Sequence, residues 1–293
     1  MRMVNIVPAL KKNLQKIPYP LGKKISYWSY SLRPGIGPKY DKKRNEIRSF
    51  ECWSTEQRKI FIFERIKKSL SAAAELPFYR DFWASANIEL KDIQDFEDLK
   101  KLPIVSKESL RAARLADRSC GALGRYLANT GGTSGSPLEF YITPKLIPNE
   151  WAHMHWIWET LGYRAHHLKL VIGGQNLGSI PLVYDGLRHS LLMNTYAPIE
   201  NVCQALRDWV DRTKVFYLHG YPSAISEFGL QLAQFAPEVL GDLRLHLRGA
   251  FLSSEYPAPN YRRIIEDVFQ VATVSWYGHT ERCVLAWERS EPF

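Results

Sequence analysis

The sequence predicts an α/β protein: an N-terminal helical segment followed by a mainly parallel sheet flanked by helices. Two observations carry this prediction. The composition, 45% hydrophobic and 24% charged over 293 residues, is that of an ordinary globular protein. From residue 168 onward, short apolar runs alternate with longer amphipathic segments. That alternation is typical of parallel strands joined by helices.

Two helices are predicted before the sheet. The first covers residues 54–75, where Ser54 and Gln57 have the spacing of a capping box and Pro77 ends the helix. The second begins after Ser106. Both are interpreted as scaffold.

A hairpin follows, and then a third helix. Segments 125–128 and 138–142 have the pattern of strands, because Leu138, Phe140 and Ile142 alternate on one face. The aromatic-rich stretch 149–161 is predicted to be helical.

The remaining elements form the predicted sheet layer. The strands are predicted at 168–174, 215–218, 248–252 and 271–276, and the helices at 201–213, 222–235 and 258–269.

Polar segments follow the last three predicted strands. They read HGYPS at 219–223, SSE at 253–255 and YGHTE at 277–281. In parallel sheets ligands bind at the carboxyl ends of strands, so these segments predict a site along one edge.

The hairpin loop carries a second signal, NTGGTSGS at 129–136. Glycines allow backbone amides to approach an anion, and hydroxyls add donors, so the loop is suited to cradling phosphate. A hairpin tip that uses glycine only for its turn remains the alternative. The loop is neither a P-loop, which requires a lysine, nor a G-x-G-x-x-G turn.

The net charge of +9 is concentrated at the N-terminus. Residues 1–70 hold 17 Lys/Arg and 5 Asp/Glu, whereas the other 223 residues hold 22 and 25. This segment also carries the aromatic residues Tyr19, Tyr27, Trp28, Tyr30 and Tyr40. Anionic lipid headgroups, nucleic acid or a plain solvated face each fit such a segment. No helix-turn-helix, zinc-finger or RNP pattern supports nucleic acid, which is not expected as a partner.

The compartment is inferred from what is missing. No run of 18 apolar residues occurs. The widely spaced Cys52, Cys120, Cys203 and Cys283 form no disulfide or metal pattern, so each is predicted to be a small buried hydrophobe in a reducing compartment. We expect a cytoplasmic protein, with contact to the inner face of the membrane left open.

The motifs together resemble a known family. TGGTSGSP at 130–137 and YGHTE at 277–281 are similar to motifs of the adenylate-forming superfamily. The resemblance is strongest to the phenylacetate–CoA ligase-like branch, with its CapK-type capsule-polysaccharide and coenzyme F390 synthetase-like proteins. The supporting stretches are LPFYRDFW at 76–83, IELKDIQDFEDLKKLPIVSKESLR at 88–111, GYPSAI at 220–225 and LSSE at 252–255. The resemblance covers roughly residues 50 to 290.

The resemblance implies a role for each motif residue. The β- and γ-phosphates of ATP would be held by Thr130, Gly131, Gly132, Thr133, Ser134 and Gly135, within the loop ending at Ser136. The adenine pocket would be lined by Ser253, Ser254 and Glu255, with Tyr277 stacked on the base and Gly278 beside it. Thr280 would bond the α-phosphate, and Glu281 would hold Mg²⁺.

The implied chemistry activates a small carboxylic acid. Its carboxylate attacks the α-phosphorus of ATP, which gives an acyl-adenylate and pyrophosphate. A thiol, such as that of coenzyme A, or an amine then accepts the acyl group. The branch further implies a place in capsule or exopolysaccharide biosynthesis.

The chain departs from the family pattern in two ways. The loop has no lysine, and Phe293 lies twelve residues after Glu281, before the family's ribose-binding aspartate, hinge and small C-terminal domain. We therefore expect a basic aromatic segment at 1–50 and an incomplete large domain at 51–293. A fragment of a ligase, a truncated relative with impaired catalysis, and a membrane-associated interaction protein all remain open.

Most of the eight histidines are interpreted as structural. His219 and His279 are the exceptions, because they fall at the predicted edge. With Tyr221 and Trp276 they are candidates for contact with the substrate.

Overall fold

The structure is a computed structural model that describes residues 16–130, 137–210, 213–282 and 285–288. The described residues form two compact units. One unit draws on Asn45–Leu146, and the other on Met1–Arg44 together with Ile147–Phe293.

Ten α-helices occur in the described residues. They are α1 (Tyr19–Ser26), α2 (Lys39–Cys52), α3 (Thr55–Ala74), α4 (Pro77–Ser85), α5 (Lys107–Ala112), α6 (Ile147–Trp158), α7 (Ile199–Val210), α8 (Pro222–Phe235), α9 (Pro237–Arg244) and α10 (Pro259–Phe269).

Nine strands occur in the same residues. They are β1 (Tyr126–Asn129), β2 (Glu139–Ile142), β3 (Lys169–Gln175), β4 (Leu182–Asp185), β5 (Ser190–Asn194), β6 (Tyr217–Gly220), β7 (Gly249–Leu252), β8 (Thr273–Gly278) and β9 (Leu285–Trp287).

The smaller unit confirms the local predictions made for it. Ser54 caps α3, since its hydroxyl accepts the amide of Gln57 while the Gln57 side chain accepts the amide of Ser54. Strands β1 and β2 pair antiparallel as the predicted hairpin. Leu138 and Ile142 are buried, and Tyr141 between them is exposed.

The larger unit is built on a seven-stranded sheet in the order β4-β5-β3-β6-β7-β8-β9. Strands β5, β3, β6, β7 and β8 are parallel, and β4 and β9 pair antiparallel at the two ends. The mainly parallel sheet predicted from the sequence is therefore confirmed.

Both faces of this sheet are covered, which is what a parallel sheet requires. One face buries Leu170, Ile172, Leu218, Ala250 and Leu252 in a cluster with apolar residues of α7 to α10. The opposite face buries Tyr217, Phe251 and Val274 against Ile157 and Trp158 of α6.

Some elements and contacts were not predicted. The β4–β5 hairpin, α9 and β9 had no counterpart among the predicted elements. Cys203 is buried as expected, but the prediction is wrong for Cys52 and Cys120, which are exposed. Cys52 is the last residue of α2, and Cys120 lies in the connection before β1. Cys283 lies outside the described residues.

Within the described ranges, no helix combines the length and the apolar character needed to cross a bilayer.

Candidate functional site

The carboxyl ends of the central parallel strands lie side by side. Ile172 of β3 pairs with Gly220 of β6, Gly220 pairs with Leu252 of β7, and Leu252 pairs with Ser275 of β8. The polar segments 219–223, 253–255 and 277–281 therefore leave the sheet along one edge, as the strand pattern predicted.

Gly220 allows the strands to meet closely at this edge. A Cβ at Gly220 would lie 1.9 Å from the carbonyl oxygen of Ile172, so no side chain fits there. Just beyond it, the amide of Tyr221 donates to Ile172 O at 3.1 Å, and the amide of Ser253 donates to Gly220 O at 3.0 Å. These bonds extend the sheet by one residue into the predicted site.

Glu255 lies at the N-terminus of helix α8. Its Oε2 accepts the Ser223 hydroxyl at 2.6 Å and the Ser223 amide at 3.2 Å. A carboxylate there is stabilised by the free amides and the positive end of the helix dipole. The pair joins the segment after β6 to the segment after β7.

Ser254, between Ser253 and Glu255, has a left-handed backbone with φ of 69°. Such φ values are uncommon for residues other than glycine, and they cluster at functional turns. Its side chain is exposed. The turn therefore presents the Ser254 hydroxyl to solvent at the edge of the sheet.

Strand β8 extends past its parallel neighbours and is supported there by β9. Trp276 pairs with Trp287, Tyr277 with Ala286 and Gly278 with Leu285. Successive side chains alternate between faces, so Tyr277 points away from the face that Trp276 covers. The Tyr277 ring is 60% exposed and presents a free aromatic surface.

The turn after β8 is held by two polar pairs. His279 Nδ1 lies 2.9 Å from Oε2 of Glu281. Arg282, whose φ is 60°, forms an ion pair at 3.2 Å with Glu150 of helix α6. Burial raises the pKa of Glu150, and the charges of Arg282 and Arg188 oppose that shift. Helix α6 thus anchors the residue that follows Glu281.

His219 is enclosed by aromatic rings on the α6 face of the sheet. Its ring centroid lies 5.0 Å from that of Trp158 and 5.7 Å from that of Trp276. Burial, reinforced by the charges of Lys169 and Arg188, lowers the pKa of His219 to about 3. His219 is therefore neutral at ordinary pH, with one ring nitrogen as donor and one as acceptor. Ser253 Oγ lies 3.5 Å from its Nε2.

The structure thus brings two groups of predicted residues to one edge. They are the substrate candidates His219, Tyr221, Trp276 and His279, and the nucleotide candidates Ser253, Ser254, Glu255, Tyr277, Gly278, Thr280 and Glu281.

The predicted phosphate loop belongs to the other unit. Residues 131–136 lie outside the described part of the chain, so the roles assigned to Gly131, Gly132, Thr133, Ser134 and Gly135 stay predictions. Thr130 is described, and it closes the hairpin: its amide donates to Leu138 O at 3.0 Å, and its hydroxyl accepts the Leu138 amide at 3.1 Å.

The residues present suit a metal that arrives with a phosphate ligand. In the described ranges, no group of three or more His, Cys, Asp or Glu side chains is arranged to hold a metal ion. Mg²⁺ is commonly bound by one or two carboxylates and the phosphates of a substrate. Glu281, a partly exposed carboxylate at the strand edge, fits that donor set.

Sequence reasoning did not assign a role to Ser223, Glu150 or Arg282. Ser223 was noted only as part of the segment after β6. Its bond to Glu255 spans 32 residues and depends on β6 and β7 being neighbours. Glu150 and Arg282 carry no local signal, because their pairing depends on where α6 packs.

Solved structures of 2-hydroxyisobutyryl-CoA ligase share this fold. Its open conformation, in complex with 2-HIB-AMP and CoA, is 20% identical, with a TM-score of 0.60, and covers 81% of this chain and 58% of that chain. Its thioesterification state, in complex with the same ligands, is 23% identical, with a TM-score of 0.58 and coverages of 76% and 49%. Its postadenylation state, in complex with 2-HIB-AMP, is 22% identical, with a TM-score of 0.59 and coverages of 81% and 53%.

These likenesses confirm the predicted fold class, an α/β fold with a mainly parallel sheet flanked by helices. The chain spans between 49% and 58% of the length of those ligase chains. No protein-family model matches the sequence, and no curated protein matches it.

Proposed function

We propose that this chain carries the nucleotide-binding part of an AMP-forming acid ligase of the adenylate-forming superfamily. The observation that carries the proposal is the alignment of three polar segments, 219–223, 253–255 and 277–281, along the carboxyl edge of one parallel sheet. The fold shared with a ligase solved in complex with an acyl-AMP supports it.

In this proposal the adenine base binds between the Ser253–Glu255 turn and the exposed ring of Tyr277. An aromatic ring stabilises a stacked base through its face. The Ser254 hydroxyl, presented by the left-handed turn, would donate to the base. Glu255 is held rigid by Ser223, so its carboxylate shapes the pocket without a large loss of side-chain entropy.

The phosphate groups of ATP would bind near Thr280 and Glu281. Thr280 would donate its hydroxyl to the α-phosphate, and the phosphate role of the loop Thr130–Ser136 stays a prediction from the sequence. Glu281 would hold Mg²⁺, which supplies positive charge that neutralises the phosphate oxygens. His279, 2.9 Å from Glu281, orients that carboxylate.

The reaction needs no general base, because a carboxylate is already a nucleophile. An oxygen of the acid forms a bond to the α-phosphorus, and the bond from that phosphorus to pyrophosphate breaks. Positioning and charge neutralisation then account for the rate. The side chains of His219, Tyr221 and Trp276 would line the space for the acid.

The finer assignments extend this proposal. The motif set favours the phenylacetate–CoA ligase-like branch and a role in capsule or exopolysaccharide biosynthesis. The ligase of similar fold was solved with CoA, which supports a thiol as the acyl acceptor. The branch implies an aryl acid as substrate and the acceptor is a thiol, and both can be supplied to the purified protein.

The test is ATP–pyrophosphate exchange in the presence of a panel of aliphatic and aryl carboxylic acids with Mg²⁺. We expect acid-dependent exchange, and we expect Glu281→Gln to lower it at least about tenfold, because a charged group facing the phosphates is lost. Glu200→Gln, which changes an exposed carboxylate on α7, is the matched control and leaves exchange unchanged.

Thermal unfolding with ATP·Mg²⁺ or AMP separates binding from turnover. Nucleotide at about 100 times its Kd would stabilise the fold by about 2.7 kcal/mol. Stabilisation without exchange would overturn the catalytic half of the proposal and favour a catalytically impaired, nucleotide-binding relative. If the nucleotide gave no stabilisation and no exchange were detected, the whole proposal would be overturned.

A further inference from the structure

Helix α1 has one face fixed to the sheet. The ring of Tyr19 packs 5.3 Å from that of Tyr184 on β4 and 5.4 Å from that of Trp209 on α7. Gly22 lies so close to Tyr184 that a Cβ there would come within 2.3 Å of the tyrosine hydroxyl. Ser26 is also buried. The helix is therefore held firmly, and its opposite face is presented in a fixed orientation.

The exposed side chains of α1 and of the residues that follow it are apolar, aromatic and basic. Leu21 is 51% exposed, Tyr27 64%, Trp28 59% and Leu32 70%. Lys23 and Lys24 are exposed among them. Leu21 and Lys24 are three residues apart in the helix and are neighbours on its surface, and Tyr27, Trp28 and Leu32 follow its last residue, Ser26. We call the surface formed by the exposed side chains of Leu21, Lys23, Lys24, Tyr27, Trp28 and Leu32 the α1 face.

Tyr27 and Trp28 differ from the other aromatic residues of the N-terminal segment. Tyr30 and Tyr40 are buried, which is the anchoring role one expects of aromatic residues near a core. Tyr27 stacks on the ring of His166, with centroids 4.6 Å apart, yet most of its surface stays in solvent. Trp28 is also largely exposed, although burying a tryptophan side chain stabilises a core or an interface more than burying most other side chains.

The sequence that contains α1 carries charge of a single sign. Residues 1–40 contain eight Lys or Arg and no Asp or Glu. Of these basic residues, Arg33 is buried and does not contribute to the exposed surface. It donates to the carbonyls of Leu187, Ser26 and Ala165. The sequence around Lys23 and Lys24 therefore contributes only positive charge, and Asp208 of α7 is an acidic neighbour beside Tyr19 and Pro20.

We propose that the α1 face docks on the surface of an anionic phospholipid bilayer. Lys23 and Lys24 pair with headgroup phosphates. Tyr27 and Trp28 lie at headgroup level, where amphipathic rings are favoured, and Leu21 and Leu32 enter the acyl boundary. The two leucines favour a bilayer over nucleic acid, because aliphatic side chains gain little from phosphates or base edges. The proposal is independent of the proposed nucleotide site.

The experiment is vesicle flotation with the full chain. One set of vesicles is phosphatidylcholine alone, and the other contains phosphatidylglycerol as well. We expect clear binding to the anionic vesicles, weak binding to the neutral ones, and loss of binding as salt is raised.

Two variants with matched controls locate the contact. Trp28→Ser is expected to weaken binding about tenfold by removing buried aromatic area. Lys23→Gln with Lys24→Gln is expected to weaken it about fivefold per lysine. The controls are Leu245→Ser and Lys214→Gln, which change an exposed leucine and an exposed lysine outside the α1 face and leave binding unchanged. All these side chains are exposed, so we expect every variant to fold, and thermal unfolding checks that it does.

Three outcomes would overturn the proposal. One is equal binding to neutral and anionic vesicles or no binding to either. Another is anionic binding that the Trp28 and lysine variants leave unchanged. The third is competition in which single-stranded RNA displaces the vesicles and itself needs the same residues, because the α1 face would then be a nucleic-acid surface.

Discussion

The two edges of the seven-stranded sheet both carry polar side chains, but in opposite surroundings. At the amino edge, Lys169, Asp185 and His189 are buried. At the carboxyl edge, Ser254, Glu255 and Thr280 are exposed. Both edges carry clusters of groups capable of binding or catalysis. They differ in how exposed the side chains are and in which partners their polar groups have.

At the amino edge the polar groups serve one another. Lys169 Nζ donates to the Tyr163 hydroxyl at 2.9 Å, and burial lowers the pKa of Lys169 to about 7. Asp185 accepts the amides of Leu187 and Arg188. Bonds of this kind satisfy buried polar groups and fix the β4–β5 connection.

At the carboxyl edge the pairs hold exposed groups in place. Ser223 orients Glu255, and Glu150 holds the residue after Glu281. The comparison shows that a polar cluster becomes a credible site when supporting bonds leave its groups accessible.

Arg33→Ala tests whether the amino edge is structural. It removes a buried guanidinium and leaves three carbonyls without their donor, so we expect the free energy of unfolding to fall by about 3–5 kcal/mol. Chemical denaturation measures the change. Arg263→Ala, at an exposed arginine, is the control and changes stability by less than about 0.5 kcal/mol. A mild effect of Arg33→Ala would mean that the buried cluster contributes little.

Acidification tests the buried histidines. Burial lowers the pKa of His189 and His219 to about 3 and that of His167 to about 4, from the usual 6.5. Between those values the unfolded chain binds more protons than the folded chain, so the free energy of unfolding falls as pH drops from 6.5 towards 4. Each histidine contributes a slope of about 1.4 kcal/mol per pH unit.

His219→Asn is the variant that assigns this slope at the carboxyl edge. Urea titrations at successive pH values should show a shallower fall in stability for His219→Asn than for the parent chain. His246→Asn, at a partly exposed histidine, is the matched control for replacing an imidazole by an amide. Identical slopes in all three chains would contradict a buried, neutral His219.

Gly220→Ala tests the close approach of strands at the site. The new methyl group would clash with Ile172 O, so we expect a loss of about 2 kcal/mol in unfolding free energy and weaker nucleotide binding. Gly241→Ala is the matched control, because nothing lies within 4 Å of its Cβ position in helix α9. That control should stabilise the chain slightly by favouring the helix. Equal effects would contradict the strand contact.

Glu150→Gln tests the support behind Glu281. Losing the charge of Glu150 weakens its hold on Arg282, so we expect exchange activity to fall about tenfold with little change in stability. Arg282→Gln should have a similar effect, and the double variant should be no worse than either single variant, because both act through one contact. Additive losses in the double variant would show that the two residues act separately.

Local signals in the sequence predicted much of the fold. Ser54 and Gln57 marked the start of α3, and the alternation of apolar runs predicted the parallel strands. The β4–β5 hairpin was missed, because its place at the edge of the sheet depends on Tyr184 packing against Tyr19, far away in sequence. The burial of Lys169 also had no local signal, since lysine is usually exposed.

The site was predictable by strand position but not by contact. The segments after β6, β7 and β8 were identified because parallel strands end on the same side. The bond from Ser223 to Glu255 and the Glu150–Arg282 pair required the strand order and the position of α6. These pairs depend on tertiary packing, which periodicity and spacing do not specify.

Hydrogen–deuterium exchange with and without saturating AMP shows whether nucleotide binds at the carboxyl edge of the sheet. We expect slower exchange of backbone amides at 219–223, 253–255 and 277–281, with no change at the buried amino edge around 185–190. Unaltered exchange along the carboxyl edge at saturating AMP, or protection confined to the amino edge, would contradict it.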